Sequence, residues 1–301
     1  MDSNHPERDA WEALVRSAFR RSWRGRLRVT DGPGRRSQAA LWGLVHVLWA
    51  AADLRELGAV VPLDELVGLV KTFRRGAGFA AKPRTRRRYF DDNAWLGLVA
   101  LALPDPGLAS ELLSFVKTGE DPSGGILWVE GGTSRNTCST ASAAWLASSL
   151  ADRAFAHRVM EWLNATLRGS DGLYADSVEG GRVEPAVFSY IQGAPVAALS
   201  ALGRIDQADA TARSSLALFR DERLWHEPPP FLAIWFRALL TVPTVRAEVS
   251  SLLAAYVDRL RRDGLDTGSG LFTRGGVGTY DRKPTIDQAA IVQLLVMRTR
   301  I

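Results

Sequence analysis

The stretch RRRYFDDNAW at residues 86–95 places two adjacent carboxylates, Asp91 and Asp92, at the start of an apolar run. Aspartate there is favourable in itself, because it caps free N–H groups and suits the positive end of a helix. One cap needs only one Asp. Inside a helix neighbouring side chains diverge by about 100°, but at the cap and first turn both can project forward into a cavity. A close pair of carboxyls, one ionised and one protonated, is what cleavage of a glycosidic bond with retention of configuration uses. Chelation of magnesium–diphosphate by an Asp pair needs a further acid along the same helix, where this chain has Ala94 and Trp95; neither binds metal.

Other residues with suitable chemistry lie in segments that the helix pattern brings towards the same place: 89–95, 124–136, 188–195 and 279–290. Tyr89, Trp128 and Tyr190 offer rings on which the C–H face of a pyranose packs, with rim plugging as the alternative. Asn136 and Gln192 can bond sugar hydroxyls or brace loops. Asp287 opens the last helix, as a cap or a ligand contact. Trp42, Trp49, Trp145, Trp162 and Trp235 sit within helical patterns and are assigned to the core. His226, in RLWHEPPP, is assigned to a loop.

Positioning these groups falls to helices. Apolar periodicity, punctuated by Pro, Gly and Asp, predicts twelve of them, over 8–23, 36–57, 62–75, 91–103, 107–118, 136–150, 152–167, 188–203, 206–219, 229–241, 243–262 and 284–297, with no strand pair. Connections into the even-numbered helices run roughly nine to twenty-one residues and those leaving them roughly one to four. Long loops therefore collect at one end. The helix at 243–262 has one apolar stripe and one wet face, whereas NAWLGLVALAL, PFLAIWFRALL and QAAIVQLLVM are apolar nearly all round. Six covered helices alternating with six amphipathic ones describe an all-α (α/α)6 toroid in one domain spanning 1–301; an open superhelical stack is the competitor, but no strict repeat period is present.

Composition narrows the classes further. At 301 residues and 46% hydrophobic content the chain can bury a large core, and no run is long and apolar enough to span a bilayer. The start, MDSNHPERDAW, lacks a basic-then-apolar layout, so the expected location is cytoplasmic. Cys138 is the single cysteine, and His5, His46, His157 and His226 have no metal-ligand spacing, so neither disulfide nor metal nor other cofactor is expected. Net charge is +5, but the arginines are scattered without a nucleic-acid motif. The cluster Arg84, Arg86, Arg87 and Arg88 is the local exception: a solvated loop, or, should it face the groove, a site favouring an anionic substrate.

Taken together, YFDDNAWLGLVAL, GGILW followed by SRN, FSYIQGAPVAAL and the late IDQAAIVQLL resemble, in order and approximate spacing, glycoside hydrolase family 76, the endo-α-1,6-mannanases. The resemblance covers about residues 36–297, and the aspartate pair before a tryptophan is its most specific element. It implies an (α/α)6 fold, an oligosaccharide or polysaccharide substrate with α-mannosidic linkages, Asp91 as nucleophile, Asp92 as acid/base, and no metal. Family members commonly carry Asn before the QG pair where this chain has Ile191, which removes a polar group there, and they are usually secreted. A non-catalytic carbohydrate-binding protein and a sugar 2-epimerase share the scaffold; the epimerase chemistry uses histidines, which are few here and lie outside the late inner-rim positions.

Overall fold

The computed structural model describes residues 5–103, 105–273 and 283–301. Its chain runs α1 (Pro6–Ala18), β1 (Phe19–Arg21), β2 (Leu27–Val29), α2 (Leu41–Glu56), α3 (Leu63–Lys71), β3 (Arg74–Arg75), β4 (Gly78–Phe79), α4 (Phe90–Ala100), α5 (Pro106–Lys117), β5 (Arg135–Asn136), α6 (Thr137–Ser149) and α7 (Arg153–Thr166). It continues through β6 (Ser177–Glu179), β7 (Arg182–Glu184), α8 (Tyr190–Ala201), α9 (Ile205–Leu218), α10 (Asp221–His226), α11 (Pro229–Leu239), α12 (Arg246–Arg259), a π-helical turn (Leu260–Gly264), β8 (Leu265–Asp266), β9 (Leu271–Phe272) and α13 (Thr285–Thr299).

Six helices form the inner ring. α2 packs on α4, α4 on α6, α6 on α8, α8 on α11, α11 on α13, and α13 closes back onto α2. Closure excludes the open stack. These helices are buried almost all round, as in α2, where thirteen consecutive or near-consecutive positions from Leu41 to Leu54 are covered. The outer helices bury one stripe each: α12 covers Val249, Leu253, Tyr256 and Val257. α3, α5, α7, α9 and α12 lie against the inner helices that precede them, and α1 lies against α13.

All twelve expected helices are present, with shifted ends. α1 stops at Ala18 because β1 and β2 pair as a hairpin, Arg20 opposite Arg28. The join at Asp152 is a true break: Ala151 has a φ of 63°, and the Asp152 carboxylate accepts a bond from the Phe155 N–H as the cap of α7. Two expectations fail. Among the described residues nine short strands form four small antiparallel sheets, and α10 is an additional helix that ends on His226. Strands of two or three residues are too short to show a period-two pattern.

The rim loops join one another around the mouth. Leu41 N–H bonds Ala81 C=O, Phe90 N–H bonds Trp128 C=O, Thr137 N–H bonds Asp176 C=O, and Thr285 N–H bonds Asp31 C=O. Residues 274–282 of the last loop, with part of the segment 279–290, lie outside the described residues.

A repeated device pins these loops to the ring. In the first turn of α4, Asn93 Oδ1 accepts from Phe79 N–H while Nδ2 donates to Phe79 C=O. Gln192 of α8 does the same to Tyr174, and Gln288 of α13 to Phe272. In α6, Thr140 accepts from Ile126 N–H. Each amide satisfies a buried donor and acceptor that irregular backbone would otherwise leave unpaired.

Candidate active site

The first turn of α4 fixes where its two aspartates point. Phe90 is buried and stacks on Phe115 with ring centroids 5.2 Å apart, and Asn93 is locked into its backbone clamp. With positions 90 and 93 anchored, Asp91 and Asp92 face a cavity of about 760 Å³ at the mouth of the ring. Tyr89, Trp128, Asn136 and Tyr190 line the same cavity.

Trp128 is held above the pair by its loop. Its N–H bonds Ser134 C=O, its C=O accepts from Phe90, and its ring lies 5.0 Å from that of Tyr89. The preceding Gly124–Gly125 turn, with φ of 94° and 77°, runs flat against the Trp162 indole, where any Cβ would collide. The glycines of GGILW are thus structural, and they set the approach of Trp128.

Asp91 Oδ2 accepts a bond from Trp128 Nε1 at 3.3 Å and one from Cys138 Sγ at 3.6 Å. Its Oδ1 is buried with no hydrogen-bond partner. Burial pushes the Asp91 carboxyl up to about 6, against the donors, which favour the ionised form. Burial and the charge of Asp91 push Asp92 well above the usual carboxylate range. The pair therefore holds one proton readily. Asp91 has the donors, so it ionises first and Asp92 keeps the proton. Burial also pushes the Cys138 thiol up, leaving it a neutral S–H donor.

The remaining expectations divide. Asn136 is buried in the cavity wall and accepts from Ser134 Oγ at 2.8 Å, with no side-chain capping bond. Gln192 does not reach the cavity: it is fully buried, and its amide is spent on Tyr174 and on Phe188 C=O. The glycine after it serves packing too, since a Cβ on Gly193 would lie 2.8 Å from Trp235 Cα. Asp287 lines a separate small recess with Phe272 and Lys283. None of Arg84, Arg86, Arg87 and Arg88 lines the cavity: Arg88 pairs with Glu130 at 2.5 Å, Arg86 is exposed, and the exposed Arg87 guanidinium lies 5.1 Å from the ring centroid of Tyr89. His226 lies at the end of α10, away from the cavity.

Further residues with suitable chemistry line the cavity without standing out in the sequence. Trp42, assigned to the core, is half-buried and forms part of the wall, as do Cys138, Phe231, Asp176 and Glu179. Phe231 stacks on Tyr190 at 4.1 Å, giving a second aromatic surface opposite Tyr89 and Trp128. Asp176, raised chiefly by burial, stands at the start of the β6–β7 hairpin, and Glu179 accepts from Thr133 Oγ1. The motif EGGR at 179–182 marks a hairpin and would have placed these two acids.

No family model matches the sequence, and no curated protein matches it either. Solved structures do. A family 76 glycoside hydrolase (mannosidase) from Bacteroides thetaiotaomicron superposes with a TM-score of 0.81 at 19% identity, over 97% of this chain and 96% of that one. An α-1,6-mannanase of the same family from Salegentibacter, solved as an inactive variant with two consecutive aspartates replaced by asparagine and in complex with α-1,6-mannotriose, gives 0.77 at 19% identity, covering 98% of each chain. A type II terpene cyclase from Scytonema gives 0.65 at 18% identity, covering 98% and 97%. The likeness establishes the architecture: this chain is an all-α toroid of the kind seen in solved members of glycoside hydrolase family 76.

Proposed function

We propose that the protein is a retaining glycoside hydrolase acting on α-mannosidic linkages, with α-1,6-mannan or mannooligosaccharides as substrate. The observation that carries this reading is the Asp91–Asp92 pair on the first turn of an inner helix, split into an ionised and a protonated carboxyl at the floor of an aromatic-walled cavity. The named activity of the structurally similar mannanase, and its consecutive aspartates, support it.

Asp91 attacks the anomeric carbon while Asp92 gives its proton to the departing glycosidic oxygen, so the sugar is transferred to the carboxylate and the leaving chain departs as an alcohol. Asp92, now ionised, takes a proton from water, which displaces Asp91 and regenerates the anomeric configuration. Oδ1 of Asp91 is the attacking atom, because Oδ2 is held by Trp128 and Cys138. Tyr89–Trp128 and Tyr190–Phe231 offer faces for pyranose rings. Asn136, Asp176 and Glu179 offer acceptors for hydroxyls.

Incubation with defined α-1,6-mannooligosaccharides, with products separated and their anomers read by NMR before mutarotation, tests the reading. Cleavage with α product is expected. Binding without cleavage, an epimerised sugar, or β product overturns it.

A further inference from the structure

On the same rim as the cavity, the β1–β2 hairpin carries a surface that the reaction does not use. Residues 19–29, FRRSWRGRLRV, hold five arginines and no acid. Arg20 and Arg28 stand directly opposite each other across the strand pair, an arrangement that is unfavourable for like charges unless something neutralises them. Arg21 is paired with Glu65. Among the described residues, no acid lies within ion-pair distance of Arg20, Arg24, Arg26, Arg28 or Arg84.

At the tip of the hairpin Trp23 is 88% exposed, and the Arg24 guanidinium lies 4.4 Å from its ring centroid. Beneath the hairpin, a groove of about 690 Å³ runs between β2, α3 and the 83–84 loop, lined by Arg26, Arg28, Arg84, Thr72 and Gln38 and by one acid, Glu65, whose charge is taken by Arg21. The Gln38 amide nitrogen is buried there without a hydrogen-bond partner among the described residues. Such a set of donors, three guanidiniums and an unused N–H, fits a phosphate.

We propose that this hairpin docks the protein on an anionic phospholipid surface, with Trp23 seated at the headgroup boundary and lipid phosphates taken by Arg24, Arg26, Arg28 and Arg84. Charge complementarity calls for a polyanion, and the projecting indole selects the bilayer. Tryptophan favours the interface between headgroups and acyl chains, and basic side chains beside it gain from anionic lipid. An inorganic polyphosphate offers nothing to an apolar ring at the apex of a turn, and the chain carries no nucleic-acid motif that would supply bases to stack on it. The chain leaving the hairpin leads through Ala40 into Trp42, both in the cavity wall. The docking itself does not depend on the glycosidase reading.

Cosedimentation of the whole protein with vesicles tests it. Binding is expected to phosphatidylcholine vesicles containing about 30 mol% phosphatidylglycerol, not to phosphatidylcholine alone, and should fall steeply towards roughly 0.5 M salt. Replacing Arg24, Arg26 and Arg28 together by Gln should weaken binding at least about tenfold. Trp23→Ala should weaken vesicle binding about tenfold while leaving retention on soluble polyphosphate unchanged. All four substituted side chains are exposed, and circular dichroism confirms the fold of each variant. Absence of binding to the anionic vesicles, unaltered binding by the triple variant, or vesicle binding indifferent to Trp23→Ala and displaced by polyphosphate overturns the proposal; the last result would make a soluble polyanion the ligand. Because the readout is sedimentation, a protein without mannanase activity still decides it.

Discussion

The indole N–H of Trp128 donates to Oδ2 of Asp91 at 3.3 Å, and the opposite oxygen of that carboxylate has no partner. Trp128 is therefore more than a ring for a sugar to rest on. Trp128→Phe keeps the ring and deletes the donor. Losing a bond to the ionised form raises the Asp91 pKa, so the acidic limb of the kcat/KM profile should move up by roughly half to one pH unit. A drop of about tenfold in kcat should accompany it. A change confined to KM, with the limb unmoved, would reduce Trp128 to a stacking surface.

Cys138 adds a weaker donor to the same oxygen. Cys138→Ala should move the acidic limb in the same direction by less, and Cys138→Ser should restore it. Carbonyl 13C titration of labelled aspartate reads the same shift without substrate. Equal titration curves in wild type and Cys138→Ala would dismiss the thiol's contribution.

The two aspartates should be separable by leaving group. On an aryl α-mannoside whose phenolate departs without a proton, Asp92→Asn is expected to retain glycosylation that Asp91→Asn loses, while both fail on mannooligosaccharides. Full activity in either variant would refute the assigned chemistry.

Stability should respond in the opposite sense. Folded Asp92 holds a proton that the unfolded chain releases near pH 4, so the folded state binds more protons and loses stability as pH rises above that point. Asp92→Asn removes this loss. Its melting temperature at pH 7 should exceed that of wild type by about 2 to 4 °C, and the gain should vanish near pH 3. A gain independent of pH would point to packing instead of the proton.

Gln192 gives a structural counterpart. Gln192→Ala leaves the N–H and C=O of Tyr174 buried without their partner, which should cost about 2 to 4 kcal/mol in chemical denaturation. A loss below about 0.5 kcal/mol would show that water replaces the clamp.

Much of this molecule was legible because its signals are local. Asp91 and Asp92 stand out as a pair where one cap suffices, and the alternation of covered and one-faced helices predicts the ring. Gln192 and Asp287 stay open in the sequence because a polar residue on the first turn of an inner helix reads the same whether it meets ligand or backbone. Only the partner distinguishes them, and Tyr174 lies eighteen residues away. Trp42 reads as core because it lies within a helical pattern, yet at the first turn such a side chain meets the cavity instead of the core.

The amide clamps of Asn93, Gln192 and Gln288 have a further meaning for how such a molecule can change. Each grips a single backbone residue at the root of its loop, and the first two loops meet the ring again just beyond it: Ala81 C=O accepts from Leu41 N–H, and the Ala175 and Asp176 carbonyls accept from Thr137. Root and second contact together make a seam between the ring and exchangeable inserts. Segments grafted past those second contacts and before the next helix should alter what the mouth recognises while the ring beneath folds as before.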